Sequence, residues 1–225
     1  MNENTAKAAL HGRFDALRLL HSFGYSWAPN TFTYAARFGD LEIMEWLYDN
    51  GCPFDSDTFR AAVGYGELDN MKYLHAKGCP IKGDVYHEAI KLGDLNILKW
   101  LHSIKCSFFG DEMNVAVKQG DLDIMKWLHS VGCRCDFKTF PIAARHGNLE
   151  NMKWLHSIEC PSNHTSFTES ASWTGNLENM KWLYSIGCQI SAEGYKAATL
   201  YKNPEIMEWI QHCEITWDIK LLRII

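Results

Sequence analysis

Residues 34–52 read Tyr-Ala-Ala-Arg-Phe-Gly-Asp-Leu-Glu-Ile-Met-Glu-Trp-Leu-Tyr-Asp-Asn-Gly-Cys. Two short helices are written into this stretch. Ala35 and Ala36 share a helical face with Phe32, three to four residues upstream. Gly39 stands where a helix can end in the left-handed conformation. Asp40 then offers an N-cap carboxylate, and Glu42 suits the positive end of the helix that follows. Leu41, Met44 and Leu47 form one apolar stripe, which stops at Gly51.

The stretch is one copy of a repeat. Gly12, Gly39, Gly66, Gly93, Gly120 and Gly147 are 27 residues apart, Gly175 follows after 28, and Lys202 takes the slot 27 later. Ala stands four residues before each marker, from Ala8 and Ala35 through Ala171 and Ala198. Seven residues after it comes a large apolar residue: Leu19, Trp46, Tyr73, Trp100, Trp127, Trp154, Trp182 and Trp209. A helix of about ten residues is marginal alone, so its stripe must be covered by neighbouring copies. The expected fold is an all-α solenoid of eight stacked helix–turn–helix repeats, read as a single domain over 1–225. Asp57, Asp84 and Asp111 are expected to cap the first helices of the third to fifth copies. Lys105 and Glu159 replace the second glycine, which predicts less stable helix ends there.

Composition narrows the function. The chain is 47% hydrophobic and 13% aromatic, enough for a substantial core. Its net charge of −5 is spread without long runs of one sign, whereas binding through nucleic-acid phosphates calls for a basic face. No stretch approaches the length of a membrane span, and the start, Met1 to Lys7, is polar and unlike a secretory signal. The expectation is a soluble cytoplasmic chain, beginning almost directly on its first helix and making no membrane contact.

The 34–52 stretch resembles the core of an ankyrin repeat, A-A-x-x-G-x-L-x-x-V-x-x-L-L-x-x-G-A-D, and the copies around 62–79 and 116–133 repeat the likeness. Two departures stand out. The T-P-L-H opening is missing, and the unit is six residues shorter than the family's 33. Gly39 to Gly51 spans 12 residues as in the family, while Gly51 to Thr58 spans only 7, so the loss falls on the β-hairpin finger. The shortened unit with Trp-Leu-His/Tyr…Gly-Cys-Pro is similar to ankyrin-like arrays of large DNA viruses and protists; were the protein viral, the implied location is the host cytosol. The resemblance implies a scaffold that holds protein partners on the concave side lined by the first helices.

Several columns invite a chemical reading and carry a structural one. Cys52, Cys79, Cys106, Cys133, Cys160 and Cys188 share one slot. Stacked helices lie about 8–10 Å apart, too far for neighbouring members to pair or to share a zinc ion. They are expected to be buried reduced thiols, with Cys135 and Cys213, outside the column, the more oxidisable. His21, His75, His102, His129 and His156 alternate with Tyr48, Tyr184 and Gln211, so the slot favours packing over metal ligation. The Trp column is expected to fill gaps between second helices. Lys72, Lys99, Lys126, Lys153 and Lys181 follow Asp69, Asn96, Asp123, Glu150 and Glu178 by three residues, a solvated mixed face.

The first helices vary most on one face. Arg37, Arg60, Lys91, Lys118 and Arg145 would line it, with Phe38, Tyr65, His87, His146 and Trp173 beside them. This face is the expected partner site, suited to an acidic or phosphorylated segment. The alternative is binding of nucleic acid or another anion along the lysine column. No G-x-S-x-G, phosphate loop or H-E-x-x-H occurs, so no enzyme, cofactor or metal is expected. The apolar tail 214–225 is read as a cap or a partial repeat, through which the chain could self-associate.

Overall fold

The computed structural model describes residues 3–38, 41–146, 148–161, 175–188, 196 and 204–212. Among them every regular element is helical: α1 (Glu3–Leu10), α2 (Phe14–Ser22), α3 (Thr31–Phe38), α4 (Leu41–Asp49), α5 (Ser56–Tyr65), α6 (Leu68–Ala76), α7 (Val85–Leu92) and α8 (Leu95–Ser103). These are followed by α9 (Glu112–Gln119), α10 (Leu122–Ser130), α11 (Thr139–His146), α12 (Leu149–Ser157), α13 (Leu177–Ser185) and α14 (Pro204–His212). Each of the first six copies supplies an odd and an even helix. α13 and α14 are both second helices, of the last two copies, and are grouped with the even ones; among the described residues no strand interrupts them. The fold is the all-α helical repeat that the period predicts. The apolar tail and Lys202 lie outside the described residues.

The chain divides into two compact units, Met1–Glu112 and Met113–Ile225. In the first, α1 packs on α3, α3 on α5 and α5 on α7, so the odd helices form one layer, and each is backed by its own even helix. In the second, α11 packs on α12 and α13 on α14. No described helix is long and apolar enough to cross a membrane.

The core repeats as the sequence does. Phe32, Phe59, Tyr86 and Phe140 are fully buried on the odd helices, next to the paired small residues Ala35 and Ala36, Ala62 and Val63, or Ala143 and Ala144. On the even helices the buried stripe is Met44 and Leu47, Met71 and Leu74, Leu98 and Leu101, Met125 and Leu128, Met152 and Leu155, Met180 and Leu183. The tryptophans are only half-buried. Their rings receive the histidine or tyrosine of the preceding copy edge-on: His21 on Trp46, His75 on Trp100, His129 on Trp154, His156 on Trp182 and Tyr184 on Trp209, with centroids 5.5, 5.9, 5.8, 5.8 and 5.6 Å apart. The two columns thus form one ladder of aromatic contacts, which also explains why tyrosine can replace histidine.

A Gly-Cys pair closes α4, α6, α10 and α13, and Lys-Cys and Glu-Cys pairs close α8 and α12. The N–H of Cys52, Cys79, Cys106, Cys133, Cys160 and Cys188 donates to the carbonyl five residues back, as in Cys79 N to Leu74 O at 2.9 Å. This is the Schellman closure, whose penultimate residue must be left-handed. Lys105 and Glu159 hold that slot at φ 58° and 53°. A left-handed L-residue costs about 1–2 kcal/mol, against which glycine sets its larger unfolded-state entropy. Lys105→Gly and Glu159→Gly are therefore each expected to stabilise the protein by about 0.5–1 kcal/mol, read as a higher thermal midpoint; a lower midpoint for both would mean that the lysine and glutamate side chains contribute more than their backbone costs.

Helix starts follow the expectation on the even helices and depart from it on the odd ones. Asp94, Asp121, Asn148 and Asn176 cap α8, α10, α12 and α13 through their side-chain oxygens. On α5 the cap is Asp55, which accepts from Asp57 N and Thr58 N and forms a capping box with Thr58. Asp57 sits inside the first turn and pairs with Arg60, Asp84 precedes α7 without capping it, and Asp111 turns to His87. The carboxylate count misses this because the box needs Thr three residues after the cap, a pairing met by Asp55 and Thr58 and again by Asp136 and Thr139.

Candidate partner-binding face

The first helices α3, α5, α7, α9 and α11 have eight to ten residues and each buries two adjacent pairs, which leaves the last two residues at the surface. On α3 these are Arg37 and Phe38; on α7, Lys91 and Leu92; on α11, Arg145 and His146, all exposed. α5 ends with exposed Gly64 and Tyr65, and Arg60 is exposed one turn earlier. Lys118 is exposed near the end of α9. Nine of the ten predicted contact residues therefore have a described position, and Trp173 lies outside the described residues.

Phe38, Tyr65 and Leu92, at 41%, 47% and 42% exposure, end successive odd helices of the first unit. Leu92 was not among the expected contacts. It leans back on the preceding copy: a methyl group placed on Gly66 would lie 2.8 Å from Leu92 Cδ2. Gly66 has φ 96°, so the position is closed to other side chains by both backbone and neighbour. An apolar strip thus continues from one copy to the next, bordered by cations. Arg60 pairs with Asp57 at 3.1 Å and Lys91 with Glu88 at 3.2 Å, each within its own helix. Exposed pairs of this kind contribute about 0–1 kcal/mol, so either cation can be exchanged for a partner's carboxylate or phosphate.

His87 differs from the other expected contacts. Its side chain is only 15% exposed, Nε2 lies 2.7 Å from Asp111 Oδ1, and Nδ1 lies 3.5 Å from Asp84 Oδ2. It belongs to a column that fastens adjacent copies. Thr33 meets Thr58 at 3.0 Å, and Asn114 accepts from Thr139 Oγ1 at 2.7 Å while donating to Asp136 at 3.1 Å. Donor atoms of His87, Asp111 and Glu112 lie within 4.8 Å of one another, a spacing that could surround an ion. Both imidazole nitrogens already face carboxylates, however. The buried Glu112 carboxylate takes the backbone N–H groups of Phe109 and Gly110. The cluster is complete as a polar fastening between copies.

Three members of the lysine column are engaged within their own helices. Lys72, Lys153 and Lys181 reach Asp69, Glu150 and Glu178 at 3.1, 2.8 and 3.4 Å. Burial raises the thiol pKa of Cys52 and of Cys79 to about 12, and pushes those of Cys106 and Cys188 upward as well. These four stay protonated near neutrality and act as small apolar groups.

Residues 6–48 match the family model described as Ankyrin repeats (many copies). No curated protein matches the chain. The matched segment holds the first two copies of the period, and its Ala, Gly and Leu columns recur in the later ones. Residues 6–48 are thus similar to ankyrin repeats, and the rest of the chain repeats the same columns.

Proposed function

We propose that the protein is a non-enzymatic scaffold that holds a protein partner on the concave face lined by its odd helices. Ankyrin repeats in general mediate protein–protein interaction. The observation that carries the reading is the exposed strip Phe38, Tyr65 and Leu92 flanked by Arg37, Arg60 and Lys91. Large apolar groups at the surface, rimmed by exchangeable cations, suit a segment that alternates apolar and acidic or phosphorylated residues. Lys118, Arg145 and His146 supply the same chemistry on later copies, and His87 lies at the rim. The unbroken 27-residue register from Gly12 to Gly147 supports one repeat domain over 1–225.

Arg60→Glu, Lys91→Glu, Lys118→Glu and Arg145→Glu combined are expected to abolish capture of partners from a cell extract, while circular dichroism stays unchanged. Capture at the wild-type level would remove the face from the function. The competing reading, an anion or nucleic acid along the lysine column, is weakened by the acidic neighbour each of Lys72, Lys153 and Lys181 already holds.

A further inference from the structure

We propose that Tyr48 and Tyr73 form a cation site on the even-helix layer, which takes a lysine side chain from a basic segment of a partner. In the free protein Lys77 stands in for that lysine. Its ammonium lies 4.3 Å from the centre of the Tyr48 ring and 5.4 Å from that of Tyr73, within the range of cation–π attraction. The two rings stand nearly perpendicular, at 82° with centroids 6.4 Å apart, so one ammonium reaches both.

The site is where five columns of the even helices change together. The slot of Tyr48 holds histidine in five copies, and that of Tyr73 holds tryptophan in six. Lys77 stands where copies four to seven carry Ile104, Val131, Ile158 and Ile186. Glu45 replaces the lysine found in five copies, and Asp49 the serine found in five. Tyr48 and Asp49 follow Glu45 on α4 by three and four residues, which puts all three on one side of the helix.

The charges left over name the occupant. Glu45 and Asp49 are exposed, and among the described residues neither joins an ion pair, whereas their neighbours Glu42 and Asp69 are held by Arg18 and Lys72. Burial, then the charges of Asp49 and Glu45, push the Tyr73 hydroxyl up to about 12, so a neutral ring faces two carboxylates. Lys77 covers the rings and leaves those carboxylates without a cation. A lysine on a basic segment can displace Lys77, because an exposed cation–π contact is weak, while its basic neighbours meet Glu45 and Asp49. This surface lies on other helices than the face proposed above, and neither depends on the other.

The full-length protein is titrated with a capped Lys-Gly-Lys-Gly-Lys peptide while the ring proton resonances of Tyr48 and Tyr73 are followed by NMR. The expected result is a saturable shift of both rings. Lys77→Asn, which puts into this slot the residue that copy two carries as Asn50, empties the rings and should tighten binding about two- to fivefold. Adding Tyr73→Leu, with Leu19 as its precedent in copy one, should remove that gain. Glu45→Lys with Asp49→Ser, the residues usual in those columns, should weaken binding about threefold at unchanged circular dichroism. The proposal is overturned if Lys77→Asn binds the peptide no tighter, or if a peptide with every lysine acetylated binds as well as the charged one. Saturation of both rings by tetramethylammonium but not by the peptide also overturns it, in favour of a small organic cation.

Discussion

Phe32→Ala is expected to destabilise the protein by about 3–5 kcal/mol, while Phe38→Ala, six residues along the same helix, shifts stability by about 0.5 kcal/mol or less. Phe32 is fully buried, and its ring meets Phe54 at 5.3 Å. Removing it deletes apolar contacts between α3 and the next loop and leaves a cavity that the neighbouring helices cannot close without losing their own packing. Phe38 is 41% exposed at the end of α3. Its ring therefore has far less burial to lose. Urea unfolding of the two variants measures the difference directly. Equal losses would mean that Phe38 is a core residue in solution, and the apolar strip it shares with Tyr65 and Leu92 would no longer be a surface. Capture of a partner by the Phe38→Ala variant supplies the complementary reading, since the proposed face predicts weakened binding at unchanged stability.

The period was legible because stacking places each column in the same surroundings copy after copy, and those surroundings admit few side chains. The marker glycines, the Leu stripe and the cysteines of the Schellman closure all reveal themselves that way. What was not legible depends on which slot of one copy meets which slot of the next. Helical phase groups His87 with the binding residues, because it shares a face with Lys91. Yet its slot is the one that Thr33 and Asn114 use to reach the following helix. A residue at the edge between a surface and a seam has the same helical phase in either role. Cys135 shows the converse. It stands out as a cysteine off the column, and only the packing of Trp27, Phe54 and Phe108, which share its slot, identifies that slot as inward-facing. The tryptophan column was legible as packing between second helices, but not the edge-on histidine or tyrosine of the preceding copy that each half-buried ring meets.

Asn70→Ile, Asn151→Ile and Asn179→Ile are each expected to stabilise the protein by about 1–3 kcal/mol. The three asparagines are 2%, 0% and 1% exposed. Asn70 Nδ2, Asn151 Nδ2 and Oδ1, and Asn179 Nδ2 find no hydrogen-bond partner among the described residues. A buried amide group left unmatched forfeits the hydrogen bonds it makes to water in the unfolded chain. The repeat supplies the remedy, because the same slot holds Ile43, Ile97, Ile124 and Ile206 in other copies, each buried on the corresponding face of its even helix. The cavity that isoleucine needs is thus already built four times into this fold, which keeps overpacking small. The sign of the result is decisive. Higher urea midpoints with unchanged slopes would establish that the amides are tolerated at a cost, and the three changes should add, since they lie in different copies. Lower midpoints would instead place a bound water or an inter-copy hydrogen bond at the asparagines, and the column would then be a polar fastening like that of Thr33 and Asn114.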